Sequence, residues 1–223
     1  MGEPSSAFFD GLFGRAYDFY IERERLARLI GRVIWNADIR PFYASMQAIA
    51  DVPKGGSIVD APCGGGVAFR ALRPSQDVGY LAIDLSEGML ARARRLASEL
   101  GLDQIEFLQG DAEALPVADA STDLFLSYFG LHCFPHPERA VAEIARCLRP
   151  GGRVVGGMIV RGRTLRHRLL VRPGRGVFGP TGTSADLERW ISEAGLALSR
   201  LQVSGLLAYF QAERPMEAPE RPI

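Results

Sequence analysis

The sequence predicts an α/β fold with a doubly wound, mostly parallel sheet, and three observations lead to it. An apolar strand signal at Ile58 and Val59 runs into a glycine-rich turn and then a helical pattern, the opening of a nucleotide-binding βαβ unit. Strand-like and helix-like segments then alternate as far as Val160. Two last strand patterns flank Ser204-Gly205, a hairpin signal that predicts an antiparallel end to a seven-stranded sheet.

Length and composition fit a single domain. The chain has 223 residues, of which 47% are hydrophobic, so it can bury a full core. Its formal net charge is zero, which gives no argument for nucleic acid or an anionic membrane as a partner. No signal peptide or membrane-spanning run is visible, so we expect a cytoplasmic protein without stable membrane insertion. The distant Cys63, Cys133 and Cys147 predict reduced thiols, no disulfide and no metal site.

Amphipathic stripes predict three helices before the first strand. Steps of four, four and three place Phe9, Phe13, Tyr17 and Tyr20 on one helical face. A second apolar stripe follows (Leu26, Leu29, Ile30, Val33 and Ile34), and a third helix is predicted between Pro41 and Ala50. Such stripes usually pack into a core, and the alternative is a cap over the active site. We therefore expect residues 1–54 to form an N-terminal helical cap, 55–213 the main domain and 214–223 a disordered tail.

The first strand and the second both end in an acid. Asp60 follows Val59, and Asp84 follows the strand pattern Tyr80–Ile83. Between them, three consecutive glycines from Gly64 let a ligand lie against bare backbone. A carboxylate at the tip of the second strand can accept both hydroxyls of a ribose. This stretch therefore predicts a nucleoside-binding site.

The other elements follow from periodicity and from their end signals. A helical pattern runs from Val67 towards Leu72, and a longer helix follows Ser86 and stops at Gly101. A further helix opens at Pro137, and residues 149–152 break it. A last helix covers residues 184–194, and the remaining strands are predicted at 105–109, 123–128, 154–160, 197–203 and 206–212.

These motifs give the chain a resemblance to a known family. Residues 55–160 resemble class I S-adenosylmethionine-dependent methyltransferases of the type 11, or ubiquinone/menaquinone-biosynthesis-like, group, with a Rossmann-like sheet. The family's loop reads Asp-x-Gly-x-Gly-x-Gly, whereas Pro62 stands here at the first glycine and Gly64 and Gly66 keep the last two. The segment Gly110–Pro116 matches a further family motif, in which the acid (here Asp111) reaches the adenine amine and the next residue's backbone (Ala112) contacts the ring. The resemblance implies cofactor contacts from Asp60, Pro62, Cys63, Gly64, Gly66, Asp84, Leu85, Met89, Asp111, Ala112, Ser127 and Tyr17.

Two other classes of function compete with methyl transfer. A nicotinamide or flavin enzyme would need a small residue where this chain has Phe69, and Asp60 would crowd a pyrophosphate although it suits a cationic amino-acid ligand. A protein of the same fold could also bind the cofactor without transferring a methyl group, as a scaffold or a cyclase. The sequence therefore favours the methyltransferase.

The acceptor side is predicted less sharply. Aromatic residues of the cap, with Tyr17 and Tyr20 as candidates, suggest a small, largely apolar acceptor that is quinone-like, phenolic or a natural product. His132 follows the fourth strand, where ligands bind in open parallel sheets, so it is a candidate general base. The alternative for His132 is a structural ring bonded to nearby backbone. The arginine-rich insert 161–183 either clamps an anionic substrate or forms a solvated loop. The oligomeric state is left open.

Overall fold

The computed structural model describes residues 24–162 and 180–216. Its helices are α1 (Glu24–Val33), α2 (Arg40–Ser45), α3 (Glu87–Leu100), α4 (Pro137–Cys147) and α5 (Ser184–Glu193), with 3-10 turns at Met46–Ile49 and Val67–Ala71. Its strands are β1 (Gly56–Asp60), β2 (Val78–Asp84), β3 (Ile105–Gln109), β4 (Thr122–Tyr128), β5 (Leu148–Ile159), β6 (Ala197–Ser204) and β7 (Leu207–Glu213). The aromatic face predicted at residues 9–20 and most of the insert 161–183 lie outside the described residues.

The strands form one seven-stranded sheet in the order β3-β2-β1-β4-β5-β7-β6. The pairs from β3 to β5 are parallel, and β7 is antiparallel to both β5 and β6. The order reverses between β1 and β4, so the crevice at the carboxyl ends of these two strands is the expected ligand position. The predicted fold class, including the antiparallel closing strand, is confirmed.

The predicted start and end of helix α3 are observed in the structure. Ser86 caps α3, because its side chain accepts a hydrogen bond from the backbone N–H of Met89 at 3.1 Å, and Gly101 ends this helix with a left-handed φ of 66°. Two helical predictions need correction. The pattern after the glycines forms only a 3-10 turn, and the predicted third helix splits into α2 and a 3-10 turn.

Strand β5 begins earlier than predicted. Leu148 pairs with Thr122 ahead of the regular register, which starts at Arg153, so the proline and glycines between them form an irregularity within the strand and do not end it. Gly151 and Gly152 exchange backbone hydrogen bonds with Arg214 at 2.8 Å in both directions. Arg214 was predicted to lie in the disordered tail, and these pairings extend the ordered sheet by at least this residue.

Helices pack on both faces of the sheet. One core contains residues of α1, α2 and α3 together with Ile58, Leu124 and Leu126, and the other joins α4 and α5 to Val59 and Phe125. Residues 24–54 thus share a core with the sheet, and their separation as a cap stays a prediction. Within the described residues, no helix is long and apolar enough to cross a membrane.

The side of helix α1 that packs into the core matches its predicted apolar stripe only in part. Ala27 and Gly31 are buried, whereas Leu29 and Val33 are 60% and 59% exposed. A Cβ at Gly31 would lie 3.2 Å from the backbone oxygen of Ala37, so only a small residue lets the helix approach this closely. Leu26 and Ile30 of the predicted stripe are half-buried, so the stripe packs into the core only in part.

Candidate active site

The glycine turn after β1 is fixed to the tip of β2. The backbone N–H of Gly64 donates to one carboxylate oxygen of Asp84 at 2.9 Å, and the N–H of Ser86 donates to the other at 2.9 Å. The N–H of Cys63 donates to the backbone oxygen of Ile83 at 2.8 Å. The two motifs that the sequence separates by twenty residues therefore form one surface. Each oxygen of the Asp84 carboxylate thus accepts one backbone hydrogen bond, which fixes the orientation of the side chain.

The two predicted ligand glycines differ in what surrounds them. Gly64 has a left-handed φ of 54°, and a Cβ placed on it would meet no atom within 4 Å. Gly66 also has a left-handed φ, of 88°, but a Cβ there would lie 2.5 Å from the ring of Phe69. Gly64 thus borders open space that a ligand can occupy, while Gly66 is required by the packing of Phe69.

Asp60 is a buried acid at the end of β1. Its carboxylate accepts a hydrogen bond from the hydroxyl of Tyr80 at 2.8 Å. Burial, assisted by the nearby Asp84 charge and opposed by this hydrogen bond, raises the pKa of Asp60 to about 7. Burial also raises the pKa of Tyr80 well above its usual range, with the Asp60 charge as the second cause. A positive ligand group beside Asp60 would favour its charged form.

Pro62 and Gly130 bring together the loops that follow β1 and β4. Pro62 follows a cis peptide bond, and a side chain at Gly130 would overlap the Pro62 ring. Gly130 lies two residues after the end of β4, next to Phe129, whose backbone is left-handed. The loops that follow β1 and β4 therefore touch at Pro62 and Gly130. This contact brings the two ends at the reversal point of the sheet together, as the topology requires.

An aromatic cluster that sequence reasoning missed lies beside Asp60. The ring of Phe42 in α2 packs against Tyr43, Tyr128 and Phe129 at centroid distances of 4.9, 5.0 and 5.2 Å. Phe129 has a φ of 56°, which is unusual for a large side chain and is a form of backbone strain that concentrates at functional sites. The sequence carried a signal for this cluster, because two adjacent aromatic residues end a strand that points at the crevice.

Tyr128 connects this cluster to helix α2. Its hydroxyl lies 2.9 Å from the Oγ of Ser45, and that Oγ donates to the backbone oxygen of Phe42 at 2.6 Å. Since a serine hydroxyl has one proton, Tyr128 is the donor in the shared bond. Burial raises the pKa of Tyr128 above its usual range, and the Asp60 charge adds to this rise. The phenol is therefore neutral at physiological pH.

The loop after β3, where the resemblance places the adenine contacts, is held against α4. Asp111 is exposed, and its carboxylate accepts from the backbone N–H of Glu113 at 2.9 Å, as in an ordinary turn. Glu113 in turn accepts from the backbone N–H of His136 at 2.8 Å, and Glu143 accepts from the N–H of Leu115 at 2.7 Å. Asp111 and the half-buried Ala112 thus stand on a fixed loop, and their adenine contact stays a prediction.

His132 lies inside the protein, away from solvent. It is buried, and the backbone N–H of Ile159 donates to its Nδ1 at 3.4 Å. Burial lowers the pKa of His132 to about 3, so the ring is neutral at pH 7 and a poor proton acceptor. Its role as a general base stays a prediction that this environment argues against. The structural alternative, a ring bonded to nearby backbone, matches the observed contact.

The other residues that the resemblance predicts as cofactor contacts differ in solvent exposure. Leu85 is 57% exposed beside Asp84, while Met89 and Ser127 are buried. In the described part of the chain the Oγ of Ser127 has no hydrogen-bond partner. Burial raises the pKa of the Cys63 thiol well above its usual range, so this residue is an uncharged part of the loop. Tyr17 lies outside the described residues.

Comparison with known proteins agrees with this geometry. Residues 59–156 match the family model described as "Methyltransferase domain", of the type 11 group. The chain is 41% identical over 90 residues to the ubiquinone/menaquinone biosynthesis C-methyltransferase UbiE of Methylobacterium nodulans, covering 40% of this chain and 36% of that protein. It is 38% identical over 99 residues to phthiotriol/phenolphthiotriol dimycocerosates methyltransferase 1 of Mycobacterium ulcerans, covering 44% of this chain and 35% of that protein. The aligned segment thus spans about a third of each of these curated relatives.

A solved structure extends the likeness beyond the aligned segment. The (4+2)-cyclase SpnF superimposes with a TM-score of 0.66 over 89% of this chain and 94% of that one, at 18% identity. At this identity the likeness shows the fold alone.

The seven-stranded sheet, with strand-end acids beside a glycine turn, has the Rossmann-like fold of class I methyltransferases. More particularly, residues 59–156 are similar to the methyltransferase domain of the type 11 group. The resemblance predicted from residues 55–160 is confirmed.

Proposed function

We propose that the protein transfers a methyl group from S-adenosylmethionine to a small, largely apolar acceptor that is quinone-like, phenolic or a natural product. The observation that carries the proposal is the joint surface of Gly64 and Asp84, with open space at the glycine and a fixed carboxylate beside it. The two relatives are named as methyltransferases, of ubiquinone/menaquinone biosynthesis and of phthiotriol/phenolphthiotriol dimycocerosates, and these names support the same reaction.

Each part of the crevice suits one part of the cofactor. Asp84 would accept the ribose hydroxyls, and Gly64 would let the nucleoside lie against the backbone. Asp60 would face the cationic amino-acid end, where its charged form is favoured. When bound, S-adenosylmethionine supplies a methyl group on a positively charged sulfur. The chain's contribution is to hold acceptor and methyl group in line at close distance.

The acceptor would bind against the aromatic cluster of Phe42, Tyr43, Tyr128 and Phe129. Tyr43 and Phe129 are half-buried, so part of this wall is accessible, and it lies beside the strand-end acid Asp60. Apolar walls suit a reaction in which the positive charge of the sulfur disappears. Such a wall favours flat, apolar acceptors over charged ones.

The described residues offer little for general base catalysis. His132 is buried and neutral, and Tyr128 is a neutral phenol that donates its hydrogen bond to the Oγ of Ser45. A general base matters most for a neutral hydroxyl and least for an amine or an ionised atom. We therefore favour an acceptor atom that is already nucleophilic at neutral pH, such as a phenolate, an activated ring carbon or an amine.

The proposal is tested by incubating the protein with S-adenosylmethionine and a panel of quinols, phenols and aromatic amines while S-adenosylhomocysteine is measured. Phe129→Ala should lower turnover about tenfold or more with cofactor affinity unchanged, because the ring belongs to the proposed acceptor wall and not to the Gly64–Asp84 surface. Leu108→Ala, which truncates an exposed hydrophobic side chain of β3 outside this aromatic wall, is the control. A thermal-shift comparison of S-adenosylhomocysteine with NAD and NADP separates the nicotinamide alternative.

One observation keeps a second candidate function open. SpnF, a named cyclase, shares the fold over most of both chains. If the protein binds S-adenosylmethionine but yields no S-adenosylhomocysteine with any acceptor, methyl transfer is the wrong assignment and a non-transferring use of the pocket is favoured.

A further inference from the structure

The buried carboxyl group of Asp60 has no positively charged partner in the described part of the chain. Its side chain takes one hydrogen bond there, from the hydroxyl of Tyr80 at 2.8 Å. None of the ion pairs between described residues includes it. A carboxylate that is removed from water without a cation is costly, so the free protein favours the protonated acid.

The groups that face Asp60 do not supply the missing charge. Tyr80 of β2, Tyr128 of β4 and Cys63 of the glycine turn interact electrostatically with it, and burial raises the pKa of all three. Each of the three is therefore uncharged at neutral pH. The charged group that acts on Asp60 is Asp84, and its negative charge adds to the cost of ionising Asp60.

Asp84 is the better placed of the two acids to stay ionised. Its carboxylate accepts hydrogen bonds from the backbone N–H groups of Gly64 and Ser86, whereas among the described residues Asp60 has the Tyr80 phenol alone. Two acids in one site ionise in sequence, and hydrogen bonds to the charged form decide which ionises first. The pair therefore holds a negative charge at Asp84 and a proton at Asp60, in agreement with a pKa of about 7 for Asp60.

The open side of the glycine turn lies next to this protonated acid. Gly64 borders free space, and Cys63, the residue before it, interacts electrostatically with both acids. A ligand on the Gly64–Asp84 surface therefore comes close to Asp60. A positive group of that ligand would supply the cation that the described chain lacks.

We propose that Asp60 releases its proton to solvent when the cofactor binds and takes the cofactor's ammonium group as its positive partner instead. The coupling rests on the proposed function, in which the cationic amino-acid end faces Asp60. The O–H bond of the carboxyl group breaks, the proton passes to water or buffer, and the ammonium group keeps its own protons. The complex thus holds fewer protons than the free protein, so binding strengthens as pH rises.

Calorimetric titration of the full-length protein with S-adenosylhomocysteine, which has the same amino-acid end, tests the proposal. With Asp60 half-protonated near pH 7, the affinity should rise about twentyfold from pH 5.5 to pH 7.5. Titration in two buffers with different ionisation enthalpies gives the number of protons released. It should be about one at pH 6 and about a quarter at pH 7.5, because the free protein is already mostly ionised at the higher pH.

A matched ligand and a matched variant are the controls. Methylthioadenosine keeps the adenosine and the sulfur but lacks the amino-acid end, so its binding should release no proton and should not vary over this pH range. The double variant His136→Gln, His167→Gln should keep the wild-type pH profile, since histidine is the side chain that ordinarily titrates in this range. His132 stays in place because its pKa is about 3.

Two changes at the site identify the group that titrates. Asp60→Asn, which cannot ionise, should bind S-adenosylhomocysteine at pH 7.5 about tenfold or more weakly than the wild type, without pH dependence or proton release. Tyr80→Phe removes the hydrogen bond that stabilises the charged form of Asp60, so its affinity should reach a plateau only at higher pH. Circular dichroism checks that both variants are folded, and the wild-type profile decides the question if either is not.

The outcomes separate this coupling from the proposed function. Binding of S-adenosylhomocysteine that is constant from pH 5.5 to pH 7.5 and releases no proton would overturn the coupling and leave the cofactor site intact. The same pH dependence with methylthioadenosine would also overturn it, because the ammonium group would then play no part. Binding that weakens as pH rises would mean that the protonated acid faces the carboxylate of the amino-acid end, against the proposal. No binding at any pH would overturn both the coupling and the proposed function.

Discussion

Replacing Asp60 by Asn should make the folded protein more stable at high pH while it weakens the cofactor site. Asp60 is fully buried, and its pKa rises from 3.8 to about 7 on folding, chiefly because burial penalises its charge. Between these two values the folded protein keeps a proton that the unfolded chain has released. The free energy of unfolding therefore falls as pH rises through this window.

The size of this effect follows from the two pKa values. One pKa unit corresponds to about 1.4 kcal/mol, so the loss from pH 4 to above pH 7 is at most about 4 kcal/mol. Asparagine has nearly the same shape, and its amide oxygen can still accept the hydrogen bond from Tyr80. Asp60→Asn should thus remove the pH dependence and keep the contact.

Urea unfolding at pH 5, 6, 7 and 8 measures the effect. The difference in unfolding free energy, variant minus wild type, should become more favourable by about 2–3 kcal/mol between pH 5 and pH 8. Tyr80→Phe is an informative companion, because it removes a donor that lowers the pKa of Asp60. The fall in its stability should extend to higher pH. Parallel pH profiles for wild type and Asp60→Asn would refute the reasoning.

Three other predictions concern the crevice. Asp84→Ala should weaken S-adenosylhomocysteine binding by about 2–3 kcal/mol in calorimetry, and Asp84→Asn, which keeps an acceptor, by less; unchanged affinity would contradict the ribose assignment. Gly66→Val should lower the melting temperature strongly because the valine would collide with Phe69, whereas Gly64→Ala should chiefly weaken cofactor binding. A larger loss of melting temperature for Gly64→Ala than for Gly66→Val would be inconsistent with their surroundings. His132→Asn should keep turnover within a few-fold, since the ring is buried; a loss above about a hundredfold with intact affinity would restore it as a base.

Much of the fold was predictable because its signals are local. Glycine and acid residues at strand ends, Ser86 and Gly101 at the ends of α3, and the Ser204-Gly205 turn specify backbone conformation over a few residues. The alternation of these elements then leaves few possible topologies. The joint position of Gly64 and Asp84 follows, because the carboxyl ends of adjacent parallel strands meet at one edge.

What could not be predicted depends on packing between distant segments. The side of α1 that faces the core includes the close contact of Gly31 with Ala37, and its apolar stripe does not reveal that Leu29 and Val33 stay exposed. The burial of His132 depends on contact with β5, including Ile159. The early start of β5 depends on pairing with Thr122 and Arg214. The hydrophobic periodicity of the residues concerned does not predict any of these contacts.

The same long-range contacts decide how the α1–α2 region should respond to ligand. The aromatic-rich N-terminal segment predicts that residues 8–34 gain protection when cofactor binds, and this stays a prediction. Helix α2 follows that segment and need not behave in the same way. In the structure, however, the N–H of Asp38 donates to the Oγ of Ser204 at 2.8 Å, and the hydroxyl of Tyr209 donates to the backbone oxygen of Asp38 at 2.9 Å. Phe42 is fully buried against the sheet. These bonds hold α2 without any ligand.

Hydrogen exchange should therefore show slow exchange over residues 40–49 both with and without S-adenosylhomocysteine. Loops that contact the cofactor, at residues 62–66 and 110–113, should gain protection, and they serve as the internal control. Tyr128→Phe should speed exchange in α2 in both states, because it removes the bond to Ser45. Protection of residues 40–49 that appears only with ligand would mean that α2 closes over the site, and that the bonds to β6 and β7 are too weak to hold it.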